Sequence, residues 1–435
     1  MSEAAVVDAG LSGVGEPSRD ELIRQLAVAA ELEHGLCLQY LFTAATLKDS
    51  IDEGGLTDTE LVAVRSWKGM LNFVAAQEML HLAQVCNLLI AVGGQPHFSR
   101  PNFPQRPGYY PTGLPWGLWP FALDVVELYA CYERPAQWLH GAPPDWLPLD
   151  RSTAFPELLA DAPAFKDPFA HLPARFDRPQ AVPQETIGQL YAAIAAAFEA
   201  IPGVIIGDPS RQLDGRTMGV PQLVRVVDVP SALRAIELVV EQGEGLADDR
   251  PDSHFGAFLT LRGQLLSLSS RPGFVPARDV AANPLSRLHI DNNYPGWRLI
   301  TDPYTRAVND LNSEVYRAML DLLVLVISYG DSAAGAAALR VMTGVIAPRA
   351  EALTHLPMGA DGSPGDAARP VFAGPSFEVD YPLPPLPAPP VGRVIVLERL
   401  ARCSAWAGQL ASLGHAEASV LAAASASLTD IAAEL

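Results

Sequence analysis

Three ionisable residues lie on helix faces that the sequence otherwise makes apolar. The positions three, four and seven residues from Glu33 are Leu26, Ala29, Ala30, Leu36, Cys37 and Tyr40. Glu78 and His81 are three residues apart, so they share one helix face. That shared face carries Leu71, Val74, Val85 and Leu88. Because burying a lone charge is costly, Glu33, Glu78 and His81 are predicted to project into the core and to need a compensating partner there.

The chemistry that fits these residue types is metal binding. One helical turn is about 5.4 Å, so the Glu-x-x-His spacing of Glu78 and His81 lets both side chains reach a common ion. In carboxylate-bridged di-iron and di-manganese bundles an inward Glu-x-x-His supplies an oxygen and an imidazole ligand. We therefore predict Glu33, Glu78 and His81 as metal ligands. The alternative is a buried Glu–His ion pair that only fixes the helix register.

A second half of such a site is expected from later helices. Glu237, Glu241 and Glu244 are spaced by four and three residues, and Glu244 stands between two glycines. His254 follows in the stretch SHFGAF. We predict Glu244 and His254 as the second carboxylate and imidazole ligands, and Glu241, one turn earlier, as a proton-transfer carboxylate. The alternative is a solvated glutamate face with His254 as a capping residue.

Two long helices must position the first half-site. Ser18 and Glu21 have the spacing of a capping box, and the helix predicted over Glu21–Lys48 contains one breaker, Gly35. A second helix is predicted from a Thr57/Asp58 cap to Val92, ending at the Gly93-Gly94 pair. Long helices joined by a short loop are antiparallel neighbours in a bundle.

The rest of the chain is predicted to be mainly α-helical, with irregular segments between helices. Further helices are predicted at Leu123–Trp138, Pro183–Ala200, Ser231–Glu244, Ser253–Leu266, 303–329, 334–352 and 394–431, and a β-like or irregular segment at 203–229. The proline- and aromatic-rich residues 95–183 are interpreted as an insertion that walls one end of the bundle. Its aromatic side chains are expected to cover the site and contact an organic substrate: Tyr109, Tyr110, Trp116, Trp119 and Phe121.

This pattern predicts a loose tail at 1–18, a helical bundle at 19–270 that includes the insertion, and a C-terminal helical extension at 271–435 packed on the bundle. Hydrophobic residues make up 49% of the chain and charged residues 18%, enough for a large core. The formal net charge of −19 argues against a nucleic-acid partner. The apolar runs predict no membrane span.

The four cysteines, Cys37, Cys86, Cys131 and Cys403, form no CxxC pair. They are predicted to be buried thiols in a reducing cytoplasm. The N-terminal residues lack the basic start and apolar core of a signal peptide, which also points to a cytoplasmic location.

Several stretches resemble a known family. In order, QEMLHLAQVCNLLIAVGGQP, TIGQLYAAI, EQGEG and SHF resemble the ferritin-like domain of the iminophenyl-pyruvate dimer synthases of violacein and indolocarbazole biosynthesis. The resemblance covers about residues 20–270 and the helix that begins DPYTRAVNDLN. It implies a ferritin-like antiparallel four-helix bundle. In ferritin-like proteins a tyrosine follows the first-helix glutamate by seven residues, which implies a role beside the ligands for Tyr40.

The chain departs from that family in two ways. The dimer synthases are much longer, and the third predicted helix here carries Gln189 but no central glutamate. A mononuclear or asymmetric site therefore stays open beside a symmetric di-metal one.

Taken together, the residues and the resemblance predict a metal-dependent oxidoreductase of specialised metabolism. A non-haem site of one or two iron ions, or manganese, would use dioxygen or peroxide to oxidise or couple a small aromatic or amino-acid-derived substrate. A homo-oligomer is an open expectation. The alternatives are a dimer-synthase-like protein with haem, a non-catalytic metal-binding or scaffold protein of ferritin-like fold, and an enzyme that uses its pocket without metal.

Overall fold

The protein is mainly α-helical, as predicted. The computed structural model describes residues 17–105, 110, 114–135, 146–147, 186–215, 222–243, 252–289, 296–359, 371–380, 382–415 and 417–435. The helices are α1 Arg19–Thr46, α2 Asp58–Ala91, α3 Leu123–Tyr132, α4 Ile187–Ala200, α5 Val229–Gly243, α6 His254–Ser269, α7 Pro303–Tyr329, α8 Ser332–Val341, α9 Ala347–Leu353, α10 Val391–Ala411 and α11 Ala418–Glu434. Two-residue parallel strands, β1 Pro284–Leu285 and β2 Arg298–Leu299, pair with each other.

Local capping explains where α1 and α2 begin and end. The side chain of Ser18 accepts a hydrogen bond from the backbone N–H of Glu21 at 3.2 Å. Thr57 and Glu60 form a reciprocal capping box, in which the N–H of Thr57 donates to the Glu60 carboxylate at 2.7 Å. Beyond α2, Gly93 has a φ of +87°, a conformation that favours glycine. The predicted bounds of both helices are confirmed to within two residues.

The helices around α1 and α2 pack in pairs. α1 packs along α2 and against α4, while α2 also contacts α5 and α6. α3 lies on α6, and α4 lies on α5. A single buried apolar cluster runs from Leu22 in α1 to Ile431 in α11, so the C-terminal helices share one core with the bundle. The predicted division at residue 270 stays a prediction.

Among the described residues, α2 is the one helix long and apolar enough to cross a membrane by length and composition. In this fold 72% of its most apolar window is buried inside the protein. A core helix has this property, and α2 is the central element of the site described below.

The single helix predicted over 394–431 is wrong, because two helices occupy that stretch. α10 ends at Ala411, and Gly414 then adopts a φ of +70°. This left-handed conformation turns the chain, and α11 packs back on α10. The Ser404 hydroxyl accordingly donates to the carbonyl oxygen of Ser425 at 2.8 Å, across the two helices.

The segment predicted at 203–229 as β-like or irregular forms no strand in its described parts, 203–215 and 222–229, so the irregular alternative is confirmed there. Side-chain amides of other residues take the place of a neighbouring strand. The Gln84 amide accepts from the N–H of Val224 at 2.8 Å and donates to its carbonyl oxygen at 3.0 Å. The Gln212 amide likewise accepts from the N–H of Val226 and donates to its carbonyl oxygen, both at 2.7 Å. The valines therefore satisfy their backbone groups without a sheet.

Candidate metal centre

The structure brings four of the predicted ligands together in the core. Glu33 comes from the middle of α1, Glu78 and His81 come from α2, and His254 is the first residue of α6. All four are at most 2% exposed. Ser253 caps α6 by accepting from the N–H of Gly256 at 3.0 Å, which places His254 in the first helical turn. Their role as ligands is a prediction that their convergence supports.

Glu78 lies between the two imidazoles. Its Oε2 is 3.0 Å from Nδ1 of His81, and its Oε1 is 2.8 Å from Nδ1 of His254. On the first side, Oε2 of Glu33 is 3.5 Å from Nδ1 of His81. One ligand atom from each of Glu78, His81 and His254 lies within 4.8 Å of the others. A carboxylate flanked by two imidazoles at this spacing is a donor set that can hold a metal ion.

A fifth residue, Glu133, completes the cluster and was missed from the sequence. It follows α3 directly, is 4% exposed, and places Oε2 3.6 Å from Nδ1 of His254. The preceding positions on its face are apolar and buried: Val126, Tyr129 and Ala130. The apolar-face pattern that marks Glu33 is therefore also present around Glu133, within the residues 95–183 that were interpreted as an insertion.

Two tyrosines donate hydrogen bonds to Glu33 and Glu133, which we call the outer carboxylates because they flank Glu78 and the two imidazoles. The hydroxyl of Tyr191 on α4 donates to Glu33, and the hydroxyl of Tyr40 on α1 donates to Glu133. The implied place of Tyr40 beside the ligands agrees with this contact. Each outer carboxylate thus keeps one oxygen engaged and directs the other towards an imidazole.

Two glutamines hold the far sides of the imidazole rings. Nε2 of His81 is 3.0 Å from Oε1 of Gln242, and Nε2 of His254 is 3.1 Å from Oε1 of Gln77. A proton on each Nε2 fixes the ring and turns Nδ1 towards Glu78. Hydrogen bonds of this kind orient histidine ligands in metalloproteins.

The charges in the cluster are strongly coupled. Burial, and then the Glu78 carboxylate, raise the pKa of Glu33 to about 8. Burial opposes ionisation of Glu78, but the imidazoles of His254 and His81 outweigh it and hold its pKa well below the usual value. Burial alone would lower the pKa of His254, yet Glu78 raises it to about 9. Burial and Glu78 also raise the pKa of Glu133. Three buried carboxyl groups thus share two imidazoles, and a bound cation would favour the ionised carboxylates and the neutral imidazoles together.

Two buried atoms in the cluster lack hydrogen-bond partners. Oε1 of Glu78 and Nδ1 of His254 face each other, but neither makes a hydrogen bond of acceptable geometry. A cavity of about 10 Å³ adjoins the cluster, roughly the space of one water molecule or ion. Glu33, Glu78, His81 and Glu133 line this space, and their carboxylate and imidazole atoms are donors that suit iron or manganese.

Two predicted residues are not placed in the cluster. Glu244 lies outside the described residues. Glu241 is half-buried in the last turn of α5, whereas its neighbour Gln242 contacts His81. Successive residues on a helix diverge by about 100°, so Glu241 and Gln242 face different directions. The ligand role of Glu244 and the proton-transfer role of Glu241 stay predictions.

Among the described residues, the four expected aromatic side chains of the insertion do not line the cavity. Tyr110, Trp116, Trp119 and Phe121 are buried in the core, and Tyr109 lies outside the described residues. Beyond the cluster itself, the cavity is lined mainly from α4 and α5, by Ile187, Gly188, Tyr191, Val239, Val240 and Gly243. The aromatic rings instead fill space between helices, where large side chains bury the most apolar surface.

Fold and centre together define a helical-bundle protein with a buried carboxylate–histidine cluster. Residues 26–263 match the family model described as Ferritin-like, and the chain belongs to the ferritin-like family.

Two curated relatives confirm the resemblance to the dimer synthases. The chain is 27% identical over 411 residues to dichlorochromopyrrolate synthase of Lentzea aerocolonigenes, covering 85% of this chain and 37% of the relative. It is 26% identical over 393 residues to 2-imino-3-(indol-3-yl)propanoate dimerase of Chromobacterium violaceum, covering 82% and 34%. The chain thus spans about a third of the length of these relatives.

A crystal structure of a ferritin-like protein from Caulobacter vibrioides is also similar, with 21% identity and a TM-score of 0.42. The match covers 71% of this chain and 86% of that chain.

Proposed function

We propose that this protein is a metal-dependent oxidoreductase of specialised metabolism. One or two non-haem iron ions at the cluster would use dioxygen or peroxide to oxidise or couple an imine derived from an aromatic amino acid. The substrate class is taken from the relatives, whose names describe a chromopyrrolate synthase and a dimerase of an indolyl imine. Manganese is the alternative metal.

The unpaired atoms of Glu78 and His254 carry the metal proposal. A simple ion pair would orient these groups into a hydrogen bond, but at 2.8 Å they face each other without one. In the metal-bound protein an ion would take the place of the proton on each Nδ1, while Gln242 and Gln77 keep the rings oriented through Nε2. Bound iron supplies one-electron redox chemistry and reacts with dioxygen or peroxide.

The symmetry of the cluster favours two ions over one. On each side of Glu78 stand one imidazole and one outer carboxylate: His81 with Glu33, and His254 with Glu133. Each outer carboxylate accepts a hydrogen bond from a tyrosine. The helix predicted at Pro183–Ala200 carries no central glutamate. Glu133, at the end of α3, would supply that carboxylate instead.

The cavity beside the cluster favours a non-haem site. About 10 Å³ suits an ion or a water molecule, and neither a porphyrin nor the aromatic imine fits this cavity as it stands. Its apolar walls, Ile187 and Val239 among them, exclude water from the reacting groups.

The proposed location is the cytoplasm, which is supported by four buried thiols without a disulfide.

The metal is tested by anaerobic reconstitution with iron(II), followed by desalting and metal analysis. We expect one to two iron ions per chain in the wild type, and loss of most of them in His81→Ala, because one imidazole donor disappears. The matched control is His355→Ala, at an exposed position, which should retain iron as the wild type does. The far-ultraviolet circular dichroism of both variants should match the wild type.

Full iron retention in His81→Ala would show that the site is placed wrongly, and no retention by the wild type would refute the metal. Catalysis is then tested by oxygen or peroxide consumption with the imine of an indolyl amino acid. Iron binding without consumption or coupled product would support the non-catalytic alternative instead.

A further inference from the structure

We propose that five oxidisable aromatic side chains form a relay that carries single electrons between the candidate centre and the protein surface. The relay runs Tyr40, Tyr129, Tyr132, Trp116, Tyr110. It rests on the proposed function, since the oxidant at the inner end is dioxygen or peroxide that has reacted at the centre. Its role is to reduce an oxidised centre when no substrate is bound.

The inner half of the relay begins at the cluster. Tyr40 donates its phenol hydrogen bond to Glu133. Its ring centroid is 4.7 Å from that of Tyr129, in an edge arrangement at 72°. Tyr129 in turn lies 6.1 Å from Tyr132, with the rings 27° apart. All three rings are fully buried, so water does not interrupt the contacts.

The outer half leads away from the cluster. The ring of Tyr132 is 5.3 Å from Trp116, and Trp116 is 4.6 Å from Tyr110. The hydroxyl of Tyr110 donates to Oε2 of Glu31 at 3.4 Å, and Oε1 of Glu31 is 3.2 Å from Nε2 of His97. The His97 side chain is 28% exposed, so this end communicates with solvent. Neighbouring rings at such distances allow rapid electron transfer from one to the next.

The residue types set this row apart from ordinary aromatic packing. Phenylalanine would fill similar volume without a buried hydroxyl that needs a partner. Here Tyr129 shares a hydrogen bond with the Thr43 hydroxyl at 2.6 Å and donates to the carbonyl oxygen of Gln39 at 3.1 Å. Tyr132 donates to the carbonyl oxygen of Pro115 and lies 3.3 Å from the side-chain oxygen of Gln39. Every phenol in the row therefore has a hydrogen-bond acceptor, which is a carboxylate for Tyr40 and Tyr110 and a neutral oxygen for Tyr129 and Tyr132.

The backbone of α1 is shaped to admit the Trp116 ring. A Cβ on Gly35 would lie 2.4 Å from the ring of Trp116. Glycine in a helix interior is destabilising relative to alanine, so α1 is locally weakened where the Trp116 ring packs on it. The glycine that looked like a helix breaker in the sequence thus has a packing reason.

Each transfer moves one electron inward. Tyr40 would give one electron to an oxidised centre and would recover it in turn through Tyr129, Tyr132 and Trp116, so that Tyr110 ends as the oxidised residue. Tyr110 then releases its phenol proton to Glu31 and remains as a neutral radical. A thiol or ascorbate in solution returns one electron, and the proton comes back from Glu31. The net reaction reduces the centre by one electron and oxidises the external reductant by one.

The relay is tested on the iron-loaded full chain treated with peroxide in the absence of substrate. Freeze-quenched samples, with and without ring-deuterated tyrosine, are analysed by electron paramagnetic resonance for tyrosyl and tryptophanyl radicals. The optical spectrum measures the rate at which ascorbate returns the oxidised centre to its reduced state. We expect Tyr132→Phe to remove most of the radical at the outer end and to slow that return at least tenfold. Trp116→Phe should do the same, and it serves if Tyr132→Phe folds poorly.

Matched controls outside the row are Tyr316→Phe and Trp67→Phe, both at buried positions, and both should behave as the wild type does. An unchanged radical and an unchanged rate of return in Tyr132→Phe with iron bound would overturn the relay while leaving the proposed function intact.

A protein that binds no iron refutes the proposed function, and a metal-free experiment then decides on the relay. A photogenerated ruthenium(III) complex in solution oxidises the surface end. A buried tyrosyl signal that Tyr132→Phe diminishes supports the relay, and equal signals in both proteins overturn it.

Discussion

At the scale of single residues, the cluster depends on where each donor directs its free atom. Glu78 faces an imidazole with each of its oxygens, and the outer carboxylates each give one oxygen to a tyrosine. Gln242 and Gln77 occupy the far nitrogens of the rings. The donors that remain therefore point inward, which is the arrangement that preorganises a metal site.

Glu133→Gln tests whether the residue missed from the sequence is a ligand. We expect iron affinity to fall about tenfold or more, since an amide oxygen carries no charge to offset the metal. The control is Glu237→Gln on the exposed face of α5, which should leave affinity unchanged. Competition with a coloured chelator measures both. Equal affinities in the two variants would remove Glu133 from the ligand set.

At the scale of elements, α2 serves both the centre and the segment that leads to α5. Gln84 lies one turn beyond His81 and holds both backbone groups of Val224. Asn87, three residues later, accepts from the N–H of Leu213 at 2.9 Å and donates to its carbonyl oxygen at 3.0 Å. One helix thereby fixes the approach to α5, and α5 carries the Gln242 that orients His81.

Removing the Gln84 amide should destabilise the fold. Gln84→Ala leaves the half-buried N–H of Val224 without its acceptor, and the free energy of unfolding should fall by about 1–2 kcal/mol. Gln409→Ala, at an exposed position of α10, should change it by less than about 0.5 kcal/mol. Urea unfolding measures both. A Gln84→Ala protein as stable as the control would mean that solvent replaces the amide.

At the scale of the whole molecule, Arg278 joins the bundle to the C-terminal helices. Its Nη1 donates to the carbonyl oxygens of Ala45 and Leu47 at 3.0 and 2.8 Å, at the end of α1. It also reaches the hydroxyl of Thr354 after α9 at 3.3 Å. Nε of Arg278 pairs with Glu53 at 2.6 Å. A buried guanidinium with these partners ties three distant parts of the chain together.

The Glu53–Arg278 pair should make stability depend on pH. Burial alone would raise the pKa of Glu53, but Arg278 outweighs it and lowers the pKa. The stabilisation that the ionised Glu53 contributes is therefore complete above its unfolded pKa of about 4.3. It is lost as the pH falls through the lower pKa that Glu53 has in the folded protein. Glu53→Gln should lower the free energy of unfolding by roughly 1.5–3 kcal/mol at neutral pH, and the difference should shrink in acid.

Urea unfolding across a series from neutral to acidic pH measures this difference. Asp52→Asn, at the exposed neighbouring position, is the matched control and should follow the wild type throughout. A difference between Glu53→Gln and the wild type that stays constant with pH would contradict the assignment to this pair.

The sequence by itself determined the helical fold class, the bounds of α1 and α2, and the inward projection of Glu33, Glu78 and His81. These features depend on residues within about one helical turn of each other: a Thr57/Glu60 cap, a glycine stop, and an ionisable group on an apolar face. Such signals are local, so no knowledge of distant contacts is needed to read them.

Only the tertiary structure decided which distant residues complete the centre. The apolar face of Glu133 is a local pattern, but its place beside His254 depends on the packing of α3 on α6, two segments more than a hundred residues apart. The residues around Val224 avoid a strand because Gln84 from α2 satisfies their backbone groups. Buried polar groups need hydrogen-bond partners, and which partners lie within reach depends on how the whole core packs.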